Sequence, residues 1–175
     1  MTRSKISLET IKRLRDQTGA PIGDVRNAIE ASGGDESKAL AWLKQRGAQL
    51  ADKRQGRETG QGRVEAYIHH DGRMGALVEV GCETDFVART ADFVQFCKDL
   101  ALHVAAVGPR YLSAEEASKD AGLSGTELKT VCLLDQPFVK DQGTSVGELV
   151  KLLIGKTGEN VVIKRFAKFT VGQSS

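Results

Sequence analysis

The spacing of the apolar residues changes part-way along the 175-residue chain, and this change limits the folds that the chain can adopt. Up to Leu43, apolar residues recur every three or four positions, which is the period of an amphipathic helix. Between Val64 and Val80 they alternate with other residues, which is the period of a half-buried strand. The sequence therefore predicts an α+β protein, with a helical N-terminal part and a core that contains both strands and helices.

Residues 1–50 are predicted to form a three-helix bundle, in which each helix begins at a residue suited to a helix start and ends at a glycine. The predicted starts are Ser7, Pro21 and Asp35, and the predicted ends are Gly19, Gly33 with Gly34, and Gly47. The stretch LRDQTGAPIGDVRNAIEASGGDESKALAWL resembles a ubiquitin-associated (UBA-like) fold, with TGA in the first turn and GGD in the second. A small structural scaffold and a docking module are both compatible with this pattern.

Residues 51–62 are predicted to be a basic linker that contains glycine. The apolar periodicity fades between Lys44 and Arg63, and Lys53, Arg54 and Arg57 are interspersed with glycines. We interpret the segment as a basic helix that frays into a flexible tether. An RNA-contacting arm is the alternative, and the lack of interleaved aromatic residues weakens it.

Residues 63–175 are predicted to form the α+β core, which starts with a β-hairpin around an HDG turn. A two-residue Asp-Gly turn would pair Val64 with Glu79, whereas a three-residue loop would pair Val64 with Val78. Because the second register collects the apolar residues on one face, we predict the three-residue loop, with Gly72 in the left-handed region.

A third strand is predicted near the C-terminus, in ENVVIKRFAKFTV, and completes a small antiparallel sheet of about three strands. Its alternating apolar residues, predicted to share one face, are Val161, Ile163, Ala167, Phe169 and Val171. Phe166 falls on the other face. We therefore expect the sheet to be covered, at least in part, on both sides.

The segments between the strands carry helix signals. An apolar stripe that ends at Gly108 is formed by Phe93, Phe96, Leu100, Val104 and Val107. Capping boxes begin at Ser113, Ser124 and Ser145, each with a glutamate three residues later. We expect these helices to pack on one side of the sheet.

Composition and charge exclude several classes of protein. The 25 Lys and Arg residues against 23 Asp and Glu leave a net charge of +2, too small to indicate a chain devoted to nucleic acid. The three cysteines are widely spaced, as expected for reduced thiols, and Cys97 and Cys132 are predicted to be unreactive core thiols. No window approaches the roughly 20 apolar residues of a membrane span. The sequence therefore predicts a soluble cytoplasmic protein, or one that has lost a targeting segment.

The sequence does not indicate an enzyme or a metal site. His69, His70 and Cys82 lack a second pair at ligand spacing, so no metal is expected. Because the chain contains neither a Walker A loop nor a G-x-G-x-x-G motif, no nucleotide cofactor is expected either.

The stretch ETDFVARTADF, residues 83–93, places an acid and an aromatic residue directly after a predicted strand. Phe86 precedes Phe93 by seven positions, so a continuous helix would place both on one apolar stripe, capped by Thr84 or Asp85. Spacing alone favours this core role for Phe86. In the alternative, Phe86 is exposed at a stiff strand-to-helix corner and anchors a partner.

Several motifs occur in a fixed order along nearly the whole chain: the TGA and GGD turns of the bundle, GALVEVGCETDFVARTADF, LALHVAAVGPRYLSAEE, QPFVKD and GENVVIKRF. In this order they resemble the family of bacterial-type translation elongation factor Ts, the guanine-nucleotide exchange factors of elongation factor Tu. The ETDFVA motif is specific in that context. The resemblance therefore favours the interpretation of Phe86 as an exposed wedge.

The resemblance implies the partner and the residues that contact it. It implies that the corner enters the GTPase domain of elongation factor Tu beside the magnesium site and helps to dislodge the ion, without covalent chemistry or a cofactor of its own. The residues that match the family's corner are Thr84, Asp85, Phe86 and Val87, and those that match its docking bundle are Arg15 and Ile22.

The resemblance also bears on assembly. The stretch between Glu116 and Gln136 is too short for the helical projection of longer relatives. Single-core relatives form dimers, so we expect a homodimer. A UBA-like or RNA-binding adaptor without exchange activity is the alternative function, although no direct binding of nucleic acid is expected from the exchange factor itself.

Overall fold

The structure is a computed structural model, and it describes residues 7–121 and 126–173. Helices at the N-terminus are followed by a small antiparallel sheet with further helices, so the predicted α+β class is confirmed. The contacts divide the chain into two compact units. The first unit contains the residues up to Gln55 together with Lys151–Gly158, and the second contains Gly56–Val150 and the residues from Glu159 onward.

The described elements follow one another in an order close to the predicted one. They are α1 (Leu8–Thr18), α2 (Ile22–Ala31), α3 (Glu36–Arg54), β1 (Gln61–Ile68), β2 (Met74–Cys82), α4 (Asp85–Ala88), α5 (Ala91–Val107), α6 (Ala114–Ala121), α7 (Thr126–Val131), β3 (Pro137–Phe138), β4 (Asp141–Ser145), α8 (Val146–Thr157) and β5 (Val161–Thr170). The strands β1, β2 and β5 form one antiparallel sheet with β2 in the centre.

The first unit contains the three predicted N-terminal helices. Ser7 caps α1, because its hydroxyl accepts a hydrogen bond from the backbone N–H of Glu9 at 3.1 Å. Asp35 caps α3 in the same way, through the N–H of Lys38 at 3.1 Å. The apolar stripes of the three helices meet in one core, formed by Leu14, Val25, Ala28, Ile29, Ala39 and Leu43.

Gly47 lies inside α3, so the prediction that it ends the third helix is wrong. The helix continues to Arg54, and the C-terminal part of α8 passes close to Gly47. A Cβ atom on Gly47 would lie 3.4 Å from the carbonyl oxygen of Lys151, and a Cβ atom on Gly155 would lie 3.0 Å from the Cα of Gly47. Gly47 therefore permits two helices to approach closely and does not terminate one.

The strands β1 and β2 form the predicted hairpin, but the predicted register is wrong. Val64 pairs with Glu79 and not with Val78. Because side chains alternate along a strand, a shift of one position moves every side chain of β1 to the other face of the sheet. Val64 and Ile68 are therefore exposed, whereas Val78 and Val80 of β2 are buried.

The loop of the hairpin explains the register. The backbone N–H of His69 donates to the carbonyl of Met74 at 2.8 Å, so the loop between them spans residues 70–73. Gly72 has a φ of +68°, as predicted. Arg73 joins the loop because its N–H donates to Oδ1 of Asp71 at 3.0 Å, an Asx turn that competes with strand pairing.

The strand β5 contains a β-bulge that the sequence pattern did not indicate. Glu79 pairs with Arg165 while the next residue, Val80, pairs with Ile163, so Lys164 is the extra residue. Odd-numbered residues before the bulge therefore point to one face of the sheet, and odd-numbered residues after it point to the opposite face. The prediction of a single apolar face is wrong: Val161 and Ile163 are buried, whereas Ala167, Phe169 and Val171 lie towards the other face.

The two faces of the sheet have different surroundings. Helix α5 packs against one face, where its buried Phe93 and Leu100 lie with Val78 and Val80 of β2. The opposite face, here called the open sheet face, carries apolar side chains that are 45 to 68% exposed: Val64, Ile68, Leu77, Phe169 and Val171. The expectation of cover on both faces is therefore wrong for the single chain.

The three predicted capping boxes have three different outcomes. At Ser145 the box is reciprocal: the Ser145 N–H donates to Oε2 of Glu148 at 2.8 Å, and the Glu148 N–H donates to Oγ of Ser145 at 3.2 Å. At Ser113 the hydroxyl accepts from the N–H of Glu116 at 3.4 Å, while the carboxylate binds the N–H that precedes Ser113. Ser124 lies outside the described residues.

Candidate functional site

The site begins where β2 ends, at a corner formed by residues 83–90. Thr84 has an extended backbone, with φ −126° and ψ 156°, and acts as the N-cap of the single-turn helix α4. Its hydroxyl accepts a hydrogen bond from the backbone N–H of Val87 at 3.4 Å. The corner therefore turns through one capped helical turn directly after a buried strand.

A second threonine separates α4 from α5. Thr90 has a ψ of 146°, and its hydroxyl donates to the carbonyl of Val87 at 2.8 Å while accepting from the N–H of Phe93 at 3.3 Å. This break gives Phe86 and Phe93 different surroundings: Phe86 is 82% exposed, whereas Phe93 is fully buried. The alternative in which Phe86 packs into the core is therefore wrong.

The other predicted residues of the corner differ in exposure. Asp85 is partly exposed, and its Oδ2 atom forms an ion pair of 2.9 Å with Nη2 of Arg89. Val87 and Ala88 are buried and attach the turn to its own unit. The corner thus presents Phe86 and Asp85 outward and keeps Val87 inward.

Glu159 holds the corner from a distant part of the chain. Its Oε2 atom accepts the backbone N–H of Thr84 at 3.0 Å, and its Oε1 atom accepts the hydroxyl of Thr84 at 2.6 Å. Hydrogen bonds to a carboxylate are among the stronger ones in proteins. Thr84 is therefore fixed both at its backbone and at its side chain.

The neighbouring residues form a reciprocal set of bonds. Oε1 of Glu83 accepts the backbone N–H of Asn160 at 2.6 Å, and the carbonyl of Arg57 accepts from Nδ2 of Asn160 at 2.9 Å. Nη1 of Arg57 lies 3.3 Å from Oε2 of Glu83. Two segments far apart in sequence, residues 83–84 and 159–160, thus each bind the backbone of the other through a carboxylate. We call this set of bonds the corner clamp.

Known proteins are similar in sequence to this chain over almost its full length. The model of a family described as elongation factor TS matches residues 43–126. An elongation factor Ts of Rubrobacter xylanophilus is 42% identical over 93% of this chain and 97% of the relative. That of Methylacidiphilum infernorum is 39% identical over 97% of each, and that of Solidesulfovibrio magneticus is 37% identical over 98% of this chain and 100% of the relative. The chain belongs to the elongation factor Ts family. Its role therefore lies in translation elongation.

The elongation factor Ts family resemblance also pointed to two residues of the N-terminal bundle, and both are accessible. Arg15 lies exposed in the last turn of α1, and Ile22, the first residue of α2, is 49% exposed. These residues belong to the first unit, whereas the corner belongs to the second. The structure thus places Thr84, Asp85, Phe86 and Val87 in one turn. Arg15 and Ile22 lie on two different helices, α1 and α2.

Glu159, Asn160 and Arg57 were missed as members of the site. The only signal for Glu159 and Asn160 was their occurrence in the GENVVIKRF motif, one of those that resemble the elongation factor Ts family. Nothing in the local pattern indicates that this motif meets the ETDF corner, because the contact joins residues about 75 positions apart. Arg57 looked like part of a basic tether.

The three cysteine thiols of this family member are buried. Cys97 is buried, and burial raises the pKa of its thiol to about 12. Burial is also the main cause that raises the pKa of the Cys82 and Cys132 thiols. Within residues 7–121 and 126–173, no group of three or more His, Cys, Asp or Glu side chains is arranged to hold a metal ion. Over the same ranges no helix has the length and hydropathy needed to cross a membrane.

Proposed function

We propose that this protein is a guanine-nucleotide exchange factor that binds elongation factor Tu and promotes release of GDP during translation elongation. The observation that carries the proposal is the 82% exposure of Phe86 on a short, capped turn within the ETDFVA motif. A large apolar side chain that its own fold leaves uncovered is suited to anchor an interface. Family membership supports the same partner.

The proposed mechanism acts on the magnesium ion of the partner. Mg²⁺ requires near-octahedral coordination and bridges nucleotide phosphates to the protein, so a small displacement of its surroundings weakens the retention of GDP. Phe86 would enter the GTPase domain as a wedge, and Asp85 would reorient polar groups near the ion. Thr84 and Val87 would support the wedge from within, since the first caps the turn and the second is buried.

The magnitude of the effect limits what the corner contributes alone. Burial of one Phe side chain is worth roughly 1.5 to 3 kcal/mol. Since about 1.4 kcal/mol corresponds to a factor of ten in a rate, Phe86 accounts for one to two powers of ten. Further contact is therefore required, and the exposed Arg15 and Ile22 of the first unit are proposed to supply it by docking on the same GTPase.

The exchange reaction needs no covalent step and no cofactor of the factor itself. Any reduction that the factor causes in the affinity of the GTPase for nucleotide must appear equally as a reduction by nucleotide of its affinity for the factor. The factor would therefore accelerate exchange in both directions. The proposal puts the protein in the cytoplasm, where translation takes place.

The deciding experiment measures release of fluorescently labelled GDP from elongation factor Tu by stopped flow. With Phe86→Ala, the accelerated rate is expected to fall ten- to a hundred-fold. The matched control is Val107→Ala, because Val107 is also an exposed apolar side chain, 45% exposed, and lies outside the corner. If Phe86→Ala accelerated GDP release as much as the wild-type protein does, the wedge role of Phe86 would be rejected. If the wild-type protein itself did not accelerate GDP release, the adaptor that uses the N-terminal bundle would be favoured.

We also propose that the protein forms a homodimer in which two open sheet faces pack on each other. Five exposed apolar side chains share this face in a single chain. Its Glu79 and Arg165 side chains pair with each other at 2.5 Å, which reduces the cost of burying both. Packing of one sheet on another is a common way to cover such a face. A second copy brings the same surface, so the contact would be symmetric.

Sedimentation velocity at micromolar concentrations tests the dimer. Leu77→Lys places a charge in the centre of the open sheet face and is expected to yield monomers, whereas Phe86→Ala should leave the assembly unchanged. A wild-type protein that sediments as a monomer would reject this part of the proposal. It would not affect the role of Phe86.

A further inference from the structure

We propose that Glu159 is a positioning residue of the exchange reaction, which fixes the direction in which Phe86 projects. This inference rests on the proposed function of Phe86. Glu159 does not belong to the ETDFVA motif and is not itself expected to touch the partner. Its proposed role is to hold Thr84, the residue from which the turn carrying Phe86 begins.

The geometry of the two hydrogen bonds between Glu159 and Thr84 fixes the orientation of Thr84. Glu159 receives both hydrogens that Thr84 can donate, one from the backbone N–H and one from the hydroxyl. Because the hydroxyl hydrogen is directed to Glu159, a lone pair of the same oxygen is left to accept the N–H of Val87. The carboxylate thus sets the orientation of the cap as well as the position of the backbone.

The corner clamp prevents rotation at this point. Glu159 binds the backbone N–H of Thr84, and Glu83 binds the backbone N–H of Asn160 in return. A rotation of the end of β2 would stretch both bonds together. Arg57 adds a third point of attachment, since it contacts Glu83 and its carbonyl accepts from Asn160.

The action of Phe86 as a wedge requires a fixed orientation of the corner, whereas the stability of the fold depends on this orientation less. Phe86 is 82% exposed, so its ring has few packing contacts within its own chain. The direction of the ring is therefore set by the backbone of the residues on either side. On one side Val87 and Ala88 are buried. On the other side Thr84 is only half-buried, and Glu159 provides the fixed contact. A displacement of about 1 Å in a positioned group can cost on the order of 100-fold in rate.

The test compares Glu159→Ala and Glu159→Gln in the full-length protein with Glu148→Ala. Glu148 is a matched control, because its carboxylate also accepts a backbone N–H, that of Ser145 at 2.8 Å, but at the start of α8. We expect Glu159→Ala to lower the maximal rate of GDP release at saturating factor about tenfold. Glu159→Gln, which retains one acceptor oxygen, should lose less, and Glu148→Ala should keep the wild-type maximal rate. Equal maximal rates for wild type and Glu159→Ala would overturn the inference.

A second measurement separates positioning from general stability. Amide hydrogen exchange by NMR should show loss of protection at Thr84 in Glu159→Ala, with the amides of α5 unchanged. A loss of protection throughout the second unit would assign Glu159 a purely structural role. It would overturn the inference.

A double variant separates this inference from the proposed function. If Glu159 acts through Phe86, adding Glu159→Ala to Phe86→Ala should change the maximal rate less than twofold. Losses that multiply in the double variant would overturn the inference and leave the wedge intact. If Phe86→Ala alone retained the wild-type rate, the proposed wedge role of Phe86 would fail, and the inference with it.

Discussion

Phe86 and Phe93 are seven residues apart on consecutive helices, yet one is 82% exposed and the other is fully buried. Seven residues are close to two turns of a helix, so a continuous helix would place both on the same face. Thr90 prevents this, because its extended backbone ends α4 and its hydroxyl caps α5. The comparison teaches that spacing predicts a shared face only when the helix between the two residues is unbroken.

The two aromatic rings consequently have different surroundings. Phe93 lies with Leu100 and the buried side chains of β2, where α5 covers the sheet. Phe86 takes little part in that core. We therefore expect substitutions at these two sites to separate stability from exchange, and we order the predictions by their expected effect on stability.

The largest effect is expected for Phe93→Ala. Removal of a fully buried aromatic ring leaves a cavity, which typically costs about 3 to 5 kcal/mol. The free energy of unfolding, measured by urea denaturation and monitored by circular dichroism, should fall by that amount. A loss of less than about 1 kcal/mol would mean that the interior under α5 is loosely packed, and the contrast with Phe86 would disappear.

The next effect concerns the break itself. Thr90→Ala removes the hydroxyl that accepts the N–H of Phe93, and loss of such a cap costs about 1 kcal/mol. Thr90→Ser keeps the hydroxyl and should retain most of the stability. The same urea titration measures both. Equal stability of Thr90→Ala and the wild type would show that another group ends α4.

A smaller effect on the free energy of unfolding is expected from a change in pH, through His103, a buried side chain of α5. Nε2 of His103 lies 3.0 Å from Oε1 of Gln136, and its Nδ1 atom accepts the N–H of Val139 at 3.2 Å, so the neutral ring carries its proton on Nε2. Burial lowers the pKa of His103 below its usual 6.5, although the hydrogen bond to Gln136 opposes this shift.

The sign of the pH effect follows from linkage. The unfolded chain binds a proton on His103 near pH 6.5, whereas the folded protein binds it only at lower pH. Stability is therefore complete above about pH 6.5 and falls as the pH decreases towards the folded-state pKa, by less than about 1 kcal/mol between pH 7 and 6. Urea midpoints at these pH values should differ more for the wild type than for His103→Gln. Identical pH dependence would show that His103 binds a proton equally in the folded and unfolded states between pH 7 and 6.

The smallest effect on stability is expected for Phe86→Ala. Substitution of an exposed side chain usually changes the free energy of unfolding by within about 0.5 kcal/mol. The same variant should lose ten- to a hundred-fold in GDP release, as argued above. Comparable losses in both measurements would place Phe86 with Phe93 as a core residue and would remove the basis of the comparison.

Local signals in the sequence were good predictors of where elements begin and end. Ser7, Asp35 and Ser145 cap helices as expected, and Gly108 ends α5 with a left-handed backbone. Each of these interactions joins residues within about four positions, so a short stretch of sequence contains all of the partners. Gly47 is the exception, because its role depends on α8, which lies about a hundred positions further along the chain.

Predictions of strand register and of the faces of the strands were less successful. The Asx turn at Asp71 and Arg73 lengthened the hairpin loop by one residue and moved Val64 to the open sheet face. The bulge at Lys164 divided the apolar residues of β5 between two faces. The Asx turn is a local bond within the loop, and the bulge depends on pairing with a distant strand; alternation of apolar residues specifies neither.

The sequence by itself determined the helical and extended segments, their caps and the motif that shows the elongation factor Ts family. Spacing favoured a buried Phe86 and the family resemblance favoured an exposed one, and the tertiary structure decided between them. It alone showed that one sheet face is open and that Glu159 reaches Thr84. The physical reason is the range of the interactions. Caps and helix periods act between near neighbours, whereas burial, register and the corner clamp arise only when segments far apart in sequence meet.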